Sequence, residues 1–539
     1  MHIEAPVDVK SGSDFRGGLQ LARHKALSNQ SPIRQLEVPE RLFLPLRARN
    51  GGEYRLALRT GVQVLRGTVL ANGTSMLDPP LLAPTSGRLI DIIDRPLPYR
   101  HTPSGPTLVL ESDGLDQSVD PLPALTLHPG DQARLLARLH ATGVVGLGGA
   151  MFPAAAKLDA CRQRLDTLII NGAECEPYLT CDDRLMQERA DQVLMGLALL
   201  AGCLMPDRII IGIESDMLQA WAAMADAVQR HGFRSLRLMA LPTRYPVGGE
   251  RQLIQTVTGL EVPSGVPPAQ IGIVCLNVAT VAAIYRAVSL GEALTSRIVT
   301  ASGLGLCHPG NLEVRFGTPV SNVIAACGDY TIDQPRLWLG GPMMGHALAT
   351  DAVPVIPSVH AVLAFSDHEH PLRPAPVPCI RCGECATVCP AGLAPQSLHW
   401  HLGAGQIDRA GGLNLMDCIE CACCDVVCPS HLPLTAEFHA GKALLRERTL
   451  QHQRAQRAKA RHGARQDRLA REQQAREEAA KLRKSELERA SSPKIAEALA
   501  RARHKRAGWA PPTPARPAPE AADPAAGPLE RPLTGKDEY

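Results

Sequence analysis

The sequence predicts a multidomain protein of mixed α+β and α/β class. Its parts are an N-terminal β barrel-sandwich, an α/β layer domain, a second β segment, a cysteine-rich module and a charged helical tail ending in disorder. Three observations carry this. The chain has 539 residues, more than one ordinary core accommodates. Apolar runs alternate with helical patterns only between about residues 130 and 290, with short strand-like runs on either side. Nine of the 16 cysteines fall in two short loops between Cys379 and Cys428.

Composition narrows the class. Apolar residues make up 45% and charged residues 21%, as in globular proteins. At 3% aromatics, stacking platforms for single-stranded nucleic acid are not expected. "MHIEAPVDVK" holds no apolar stretch that could act as a secretory signal. The longest apolar run, Val193 to Met205, is too short and interrupted to cross a bilayer, so no transmembrane segment is expected. In a reducing cytoplasm the cysteines read as metal ligands and buried thiols. The net charge of +3 conceals an asymmetry. From Arg446 to Arg506 roughly nineteen Lys/Arg stand against roughly eight Asp/Glu, leaving a mildly acidic body.

Residues 1–40 form an N-terminal arm. From 41 to 125, "RLALRTGVQVLRGTVLA" and "LLAPTSGRLIDII" read as short strands joined by tight turns, hence the barrel-sandwich. "APTSGRL" resembles biotinyl and lipoyl carrier domains, but no neighbouring lysine could carry a prosthetic arm, which leaves a structural role. The helix "DQARLLARLHATG" stops at Gly143. "TLIING", "RIIIGIE" and "IGIVCLN" then alternate with helical stretches across 130–295. Residues 297–355 return to β-like runs and end near "LGGPMMG"; Ser366 to Pro378 is a linker. Residues 445–508 lack the apolar heptads of a coiled coil and read as a solvated basic helix. The final 509–539 cannot bury a core and are expected to be disordered.

The cysteine loops, within 366–440, carry the most specific chemistry. "CIRCGECATVCP" and "CIECACCDVVCP" each fit C-x2-C-x2-C-x3-C-P. Zinc is the bland alternative, yet structural zinc sites set two CxxC-type pairs well apart. Three thiolates at steps of three suit three corners of a cubane, and in two-cluster ferredoxins the fourth cysteine ligates the other cluster. The reading is two 4Fe-4S clusters. One is held by Cys379, Cys382, Cys385 and Cys428, the other by Cys418, Cys421, Cys424 and Cys389. Cys423 falls outside the spacing and is read as a packed thiol; Cys161, Cys175, Cys181, Cys203, Cys275, Cys307 and Cys327 are read as small buried hydrophobes.

"GVVGLGGAMFPAAAK" is not a dinucleotide fingerprint: Met151 occupies the last glycine position and no strand precedes it. Gly148 and Gly149 would let the backbone approach a phosphate or a flat ring, with Lys157 as a cation; a tight turn is the alternative. Asn171, Glu174 and Glu176 follow a strand, where α/β sheets bind ligands. Taken singly, each acidic residue is more often a solvated surface group.

"GLGGAMFPAAAK", "NGAECEPY", "YPVGGE" and "LNVAT" occur in an order that resembles the NADH-binding flavoprotein subunit of respiratory complex I. That resemblance implies FMN as cofactor and NADH as electron donor or acceptor. It places Gly146, Gly148, Gly149, Lys157, Asn171, Glu174, Glu176, Tyr245, Gly249, Glu250 and Asn277 around the flavin–NADH site, with Phe152 facing the nucleotide. Leu147 and Met151 depart from arginine and glycine in many relatives. Over residues 12–445 the chain resembles the C subunits of Rnf complexes, on "NGAECEPYLTCDDRLM", "GGPMMG" and "LNLMDCIECACCDVVCPSHLPL". This implies a ubiquitin-like β-grasp segment, a bacterial two-cluster ferredoxin module and a subunit of an ion-translocating NADH:ferredoxin oxidoreductase. The implied location is peripheral, on the cytoplasmic side of the bacterial inner membrane. Implied partners are the other subunits and a ferredoxin-type carrier, with the basic tail as a further candidate membrane contact and no nucleic acid. Gln20, Leu21 and Ala22 break the family's Gly-Gly-x-His-Pro-Pro element. Without a covalent catalyst, the expected route is NADH, FMN, clusters, partner. The alternatives are a soluble diaphorase subunit of a hydrogenase-type complex and, more distantly, an Fe–S nucleic-acid-binding protein.

Overall fold

The computed structural model describes residues 14–47, 52–75, 77–100, 102–161, 165–233, 236–369, 374–490 and 493–508. The chain divides into two compact units, Met1–Arg448 and Thr449–Tyr539.

In the first unit, strands Arg41–Pro45, Thr102–Ser112, Gly87–Tyr99 and Gln63–Val64 pair antiparallel in that spatial order. Arg55–Leu56, Val69–Asn72 and Leu81–Leu82 form a second antiparallel sheet. Period-two alternation turns Leu42, Leu44, Leu108 and Leu110 inward, where they meet Leu70 and Leu89.

The α/β domain begins with α1 (Gln132–Ala141) and α2 (Ala154–Asp159). It continues as β1 (Thr167–Gly172), α3 (Cys181–Leu204), β2 (Arg208–Glu214), α4 (Leu218–His231) and β3 (Leu236–Leu241). α5 (Glu250–Thr258), β4 (Ile273–Asn277) and α6 (Val278–Ser289) complete it. The strands are all parallel, in the order β3-β2-β1-β4. Helices cover both faces, which is why "TLII" and "RIII" read as continuous apolar runs. α3 and α6 approach closely: a Cβ on Gly196 would sit 2.2 Å from the Val281 carbonyl oxygen. Strand order reverses between β1 and β4, and the crevice at their carboxyl ends is where such sheets bind ligands.

A mixed sheet follows: β5 (Ser296–Ser302), β6 (Gly310–Arg315), β7 (Arg336–Leu339), β8 (His346–Ala347) and β9 (Ala361–Phe365). β9 pairs parallel with β5 and antiparallel with β7, so this segment runs to Phe365 rather than stopping at 355. The arm adds Arg34–Gln35 as an edge strand beside β6.

The cysteine loops fold alike. Each ends in a four-residue helical turn, Glu384–Thr387 or Cys423–Val426, entered through a left-handed residue, Gly383 or Ala422. Leu398, Leu415 and Phe438 form the core behind them. α7 (Leu434–Ala490) starts before 445, because Leu434, Phe438 and Lys442 are buried in the first unit. The second unit contains residues 449–490 of α7, with side chains almost wholly exposed through 489, and α8 (Pro493–Ala507). No helix among the described residues is long and apolar enough to cross a membrane. The expected disorder of 509–539 lies outside the described residues, as do the first thirteen residues of the arm and 370–373 of the linker.

Candidate functional site

A cavity of about 470 Å³ opens at the carboxyl ends of β1 and β4, within the ~300–1,000 Å³ range of small-molecule sites. Gly146, Gly148, Lys157, Asn171, Glu174, Glu176, Tyr245, Gly249, Glu250 and Asn277 all line it. Gly149 stands at its edge with φ +93°, where a Cβ would come 3.1 Å from a ring carbon of His360, itself a wall residue. Phe152 also lines the cavity and is half exposed.

The local chain explains these placements. Gly146 N–H bonds the Phe152 carbonyl oxygen, folding the glycine loop back on itself, and Gly148 abuts Asn277 so tightly that a Cβ would lie 3.3 Å from the asparagine Cβ. Lys157 comes from α2 and pairs with Glu250, in the first turn of α5, at 2.7 Å. Burial opposes the lysine's charge, but Glu250 outweighs it and the lysine pKa is raised, so the cation is retained.

Several predicted residues are committed to protein partners. Asn171 donates to the Gly248 carbonyl (2.9 Å) and accepts from Ala173 N–H. Asn277 caps α6 through Ala279 N–H and donates to Asp182 at 2.6 Å. Glu174 accepts from the N–H groups of Asp182 and Asp183 at the N-terminus of α3, where the helix dipole favours an anion, and faces Lys25 at 3.6 Å. Glu176 is buried and accepts from Met343 and Met344 N–H; desolvation nevertheless pushes its pKa up to about 7. Burial, then Glu174, also pushes Asp182 up.

The wall also includes residues that the sequence reading did not assign to the flavin–NADH site. Asp182, Cys175, Cys181, Cys275, Thr280, Met344, His360 and Ile419 contribute. "GGPMMG" is brought in because Gly341 lies so close to Glu176 that a Cβ would sit 1.9 Å from its carboxylate. The arm is woven in too: Arg23 reaches the Cys175 carbonyl and Glu214, and His24 stacks on Tyr178 with ring centroids 4.6 Å apart.

Ile419, in the second cysteine loop, is a wall residue of this cavity. The fully buried Tyr245 donates its hydroxyl to the Cys421 carbonyl at 2.8 Å. Cys421 and Cys423 share an apolar cluster with Tyr245, Cys175 and Ala173. Cys423 is wholly buried. The first loop is held by Gly18 N–H to the Val388 carbonyl (2.9 Å) and by Gln252 to the Pro390 carbonyl (3.3 Å).

The eight spaced thiols fall into two neighbourhoods. Cys389 lines one small cavity together with Cys418, Cys421 and Cys424, and Cys423 lines the same cavity. Cys385 is influenced electrostatically by Cys382, Cys379 and Cys428. Among the described residues, no three His, Cys, Asp or Glu side chains converge as ligands of a single ion. Burial raises the pKa of Cys385, Cys389, Cys418 (to about 11) and Cys424, so a thiolate at these positions calls for compensating positive charge.

Both donor sets can be tested for fit. At the first cavity, the close-packed glycines leave no room for side chains, and the buried Gln252 Oε1 has no hydrogen-bond partner among the described residues. These features suit a flat polar cofactor. At the second, the donors carried by the two loops are sulfur, which suits iron–sulfur ligation.

Comparison with known proteins agrees with the architecture. Residues 139–286 match the family described as the Nuo51 FMN-binding domain, 13–115 the RnfC barrel sandwich hybrid domain and 298–347 the SLBB domain. The C subunit of the ion-translocating oxidoreductase complex of Pseudomonas aeruginosa is 44% identical over 458 residues, 85% of this chain and 59% of that protein. The Pectobacterium atrosepticum protein of the same name is 42% identical, covering 85% of this chain and 66% of its own length. The chain therefore spans less than two thirds of these two relatives. The Rhodobacter capsulatus protein of that name is 41% identical over 80% of this chain and 83% of its own length. A crystal structure of an NAD+-reducing [NiFe]-hydrogenase matches at 22% identity with TM-score 0.39, covering 52% of this chain and 55% of that one, and carries no further weight.

Proposed function

The chain belongs to the family of C subunits of ion-translocating oxidoreductase complexes, and from that premise we propose that it is the electron-input subunit of a membrane-bound complex. In this reading it transfers electrons between NADH and a ferredoxin-type carrier, and the complex couples that transfer to ion movement. The chain sits peripherally on the cytoplasmic face of the inner membrane. Ion movement belongs to partner subunits, in keeping with the lack of a membrane-spanning helix among the described residues.

The observation that supports it most is continuity. The cavity at the sheet's switch point and the second cysteine loop share a wall, through Ile419 and the Tyr245–Cys421 hydrogen bond. A site for a hydride donor and a site for one-electron carriers abut with no intervening domain. When bound, FMN supplies the conversion between two-electron and one-electron chemistry, and 4Fe-4S clusters supply one-electron carriers.

The protein's own groups bind, orient and exclude water. Lys157, kept cationic by Glu250, neutralises phosphate, while Gly146, Gly148 and Gly149 admit the backbone to close range. Gly249 keeps the entry to α5 open beside Gln252, since a Cβ there would lie 2.6 Å from Gln252 Oε1. Glu174 and Glu176 hold the α3 N-terminus and the Met343–Met344 loop in place as cavity walls. Asn171, Tyr245 and Asn277 work through neighbours rather than as free donors. For the clusters, Cys379, Cys382, Cys385 and Cys428 form one ligand set and Cys418, Cys421, Cys424 and Cys389 the other. This division is supported by the two thiol neighbourhoods.

Anaerobic NADH titration of reconstituted protein, followed by optical and EPR spectra, tests the reading. Bleaching of flavin absorbance together with two reduced-cluster signals is expected. Reconstituted protein that takes up neither flavin nor iron would overturn it.

A further inference from the structure

Helix α7 carries a feature that the redox reading does not use. Within the second unit, Arg454, Arg457, Arg461, Arg465 and Arg468 recur at steps of three or four. At about 100° per residue they fall in a sector roughly 80° wide, along about 21 Å of helix. All five are exposed. Only Arg468 has a carboxylate within ion-pair distance among the described residues, Glu472 at 3.8 Å. No acidic residue occurs between Glu447 and Asp467.

The two leucines of this stretch share that side. Leu450 and Leu469 bracket the stripe and are 53% and 49% exposed; on the same projection both lie within about 60° of the helix line through Arg454. The opposite side presents His452, Gln456, Gly463 and Asp467, with Lys459 as the one cation between 450 and 469 that lies off the stripe. A solvated helix has no reason to gather its arginines and leucines on one side. A helix lying on a charged interface does: guanidinium groups meet phosphate oxygens, and the leucines enter the boundary beneath them.

We infer that the Leu450–Leu469 face of α7 docks on an anionic phospholipid surface. Two observations select lipid over other polyanions. The described residues from 439 to 508 include no Phe, Tyr or Trp, so single-stranded nucleic acid would find no stacking partner. A phosphate backbone also offers nothing to the exposed leucines, whereas a bilayer offers both charge and an apolar layer. The helix lacks the apolar length to insert across a membrane, which leaves it on the surface. The inference stands apart from the electron-transfer reading, since it concerns neither cavity nor cysteines.

The full chain is tested by co-sedimentation with vesicles of phosphatidylcholine, alone or with about 30% phosphatidylglycerol to mimic an anionic leaflet. Binding to the anionic vesicles only, released by rising salt, is expected. Each Arg→Gln substitution in the stripe should weaken binding roughly fivefold, and the five together should abolish it. Removing three charges from the other side (Lys459→Gln, Lys481→Gln, Lys484→Gln) should leave most of it. Leu450→Gln with Leu469→Gln should weaken binding at high salt more than at low salt. Equal binding to neutral vesicles, no binding by the wild type, or equal loss from both charge-removal variants overturns the inference. So does complete competition by an equal charge concentration of duplex DNA or polyglutamate, which would make the face a general polyanion site.

Discussion

Replacing Tyr245 by Phe removes one oxygen atom and nothing else from the junction between cavity and cysteine loop. The hydroxyl donates to the Cys421 carbonyl at 2.8 Å, and both residues are buried, at 2% and 7% exposure. Loss of the bond leaves a buried carbonyl unsatisfied, at a cost of about 1–3 kcal/mol. The first loop retains its own anchors at Val388 and Pro390, so the cost falls on the second loop. Hydrogen exchange reads this directly. The Val426 and Val427 amides bond back to Ala422 and Cys423, and they should exchange roughly 5- to 150-fold faster if loop opening breaks the Tyr245 bond. Strands β1 and β2 should be unchanged. Tyr99→Phe is the control, since that phenol lies near the surface and bonds the Arg47 carbonyl. Unchanged exchange at 423–428 in folded Tyr245→Phe protein would refute the reasoning, as would an equal acceleration across the parallel sheet.

Glu176→Gln should flatten the pH dependence of stability. The carboxyl pKa is raised from 4.5 to about 7 by burial, so the fold favours the protonated form; stability is full below about pH 4.5 and is lost as pH rises toward 7, by about 3 kcal/mol for this group. Urea midpoints from pH 5 to 8 should diverge between variant and wild type, with Asp182, Asp183 and Glu214, also raised, keeping part of the slope; parallel curves would count against it. Gly341→Ala must push the Met343–Met344 loop off Glu176, so FMN affinity should fall by more than about tenfold with the far-UV spectrum intact; unchanged flavin fluorescence titration would show that the loop is not a wall of the binding site. Cys423→Ser should cost about 1–3 kcal/mol through a buried hydroxyl while sparing both cluster EPR signals, and loss of one signal would make Cys423 a ligand.

What could be read from the sequence was local. Cysteines at steps of three, a glycine run before a helical lysine and apolar runs at βα spacing express themselves within a dozen residues, and each turned up as a loop, a cavity rim or a parallel strand. His360 carries no such local signal, because its place in the cavity wall depends on where the mixed sheet sits against the α/β domain. Asp182 looks like an ordinary acidic residue in a first helical turn; only burial against Glu174 and the bond from Asn277 distinguish it. β9 was lost because its partner in register, β5, lies some sixty residues earlier, so pairing rather than local pattern identifies it.

The arm shows the same principle from the other side. Its "RGGLQLARHK" departs from the Gly-Gly-x-His-Pro-Pro pattern that the family resemblance implies. The structure draws attention to the two glycines. Gly17 and Gly18 have φ of +70° and +81°, and Cβ atoms there would come within 2.6 Å of the Val388 carbonyl oxygen and 2.5 Å of the Tyr245 carbonyl oxygen. Leu19 then exchanges backbone bonds with Tyr245. One strand of chain thus crosses between the first cysteine loop and the residue that holds the second, at a separation only glycine permits. Of the three residues that follow Leu19, Leu21 packs against the cluster that contains Phe15, Tyr245 and Cys421. Gly18 and Leu19 therefore tie the first cysteine loop to Tyr245, and through its hydroxyl to the second, with main-chain bonds that no side chain of the arm has to make.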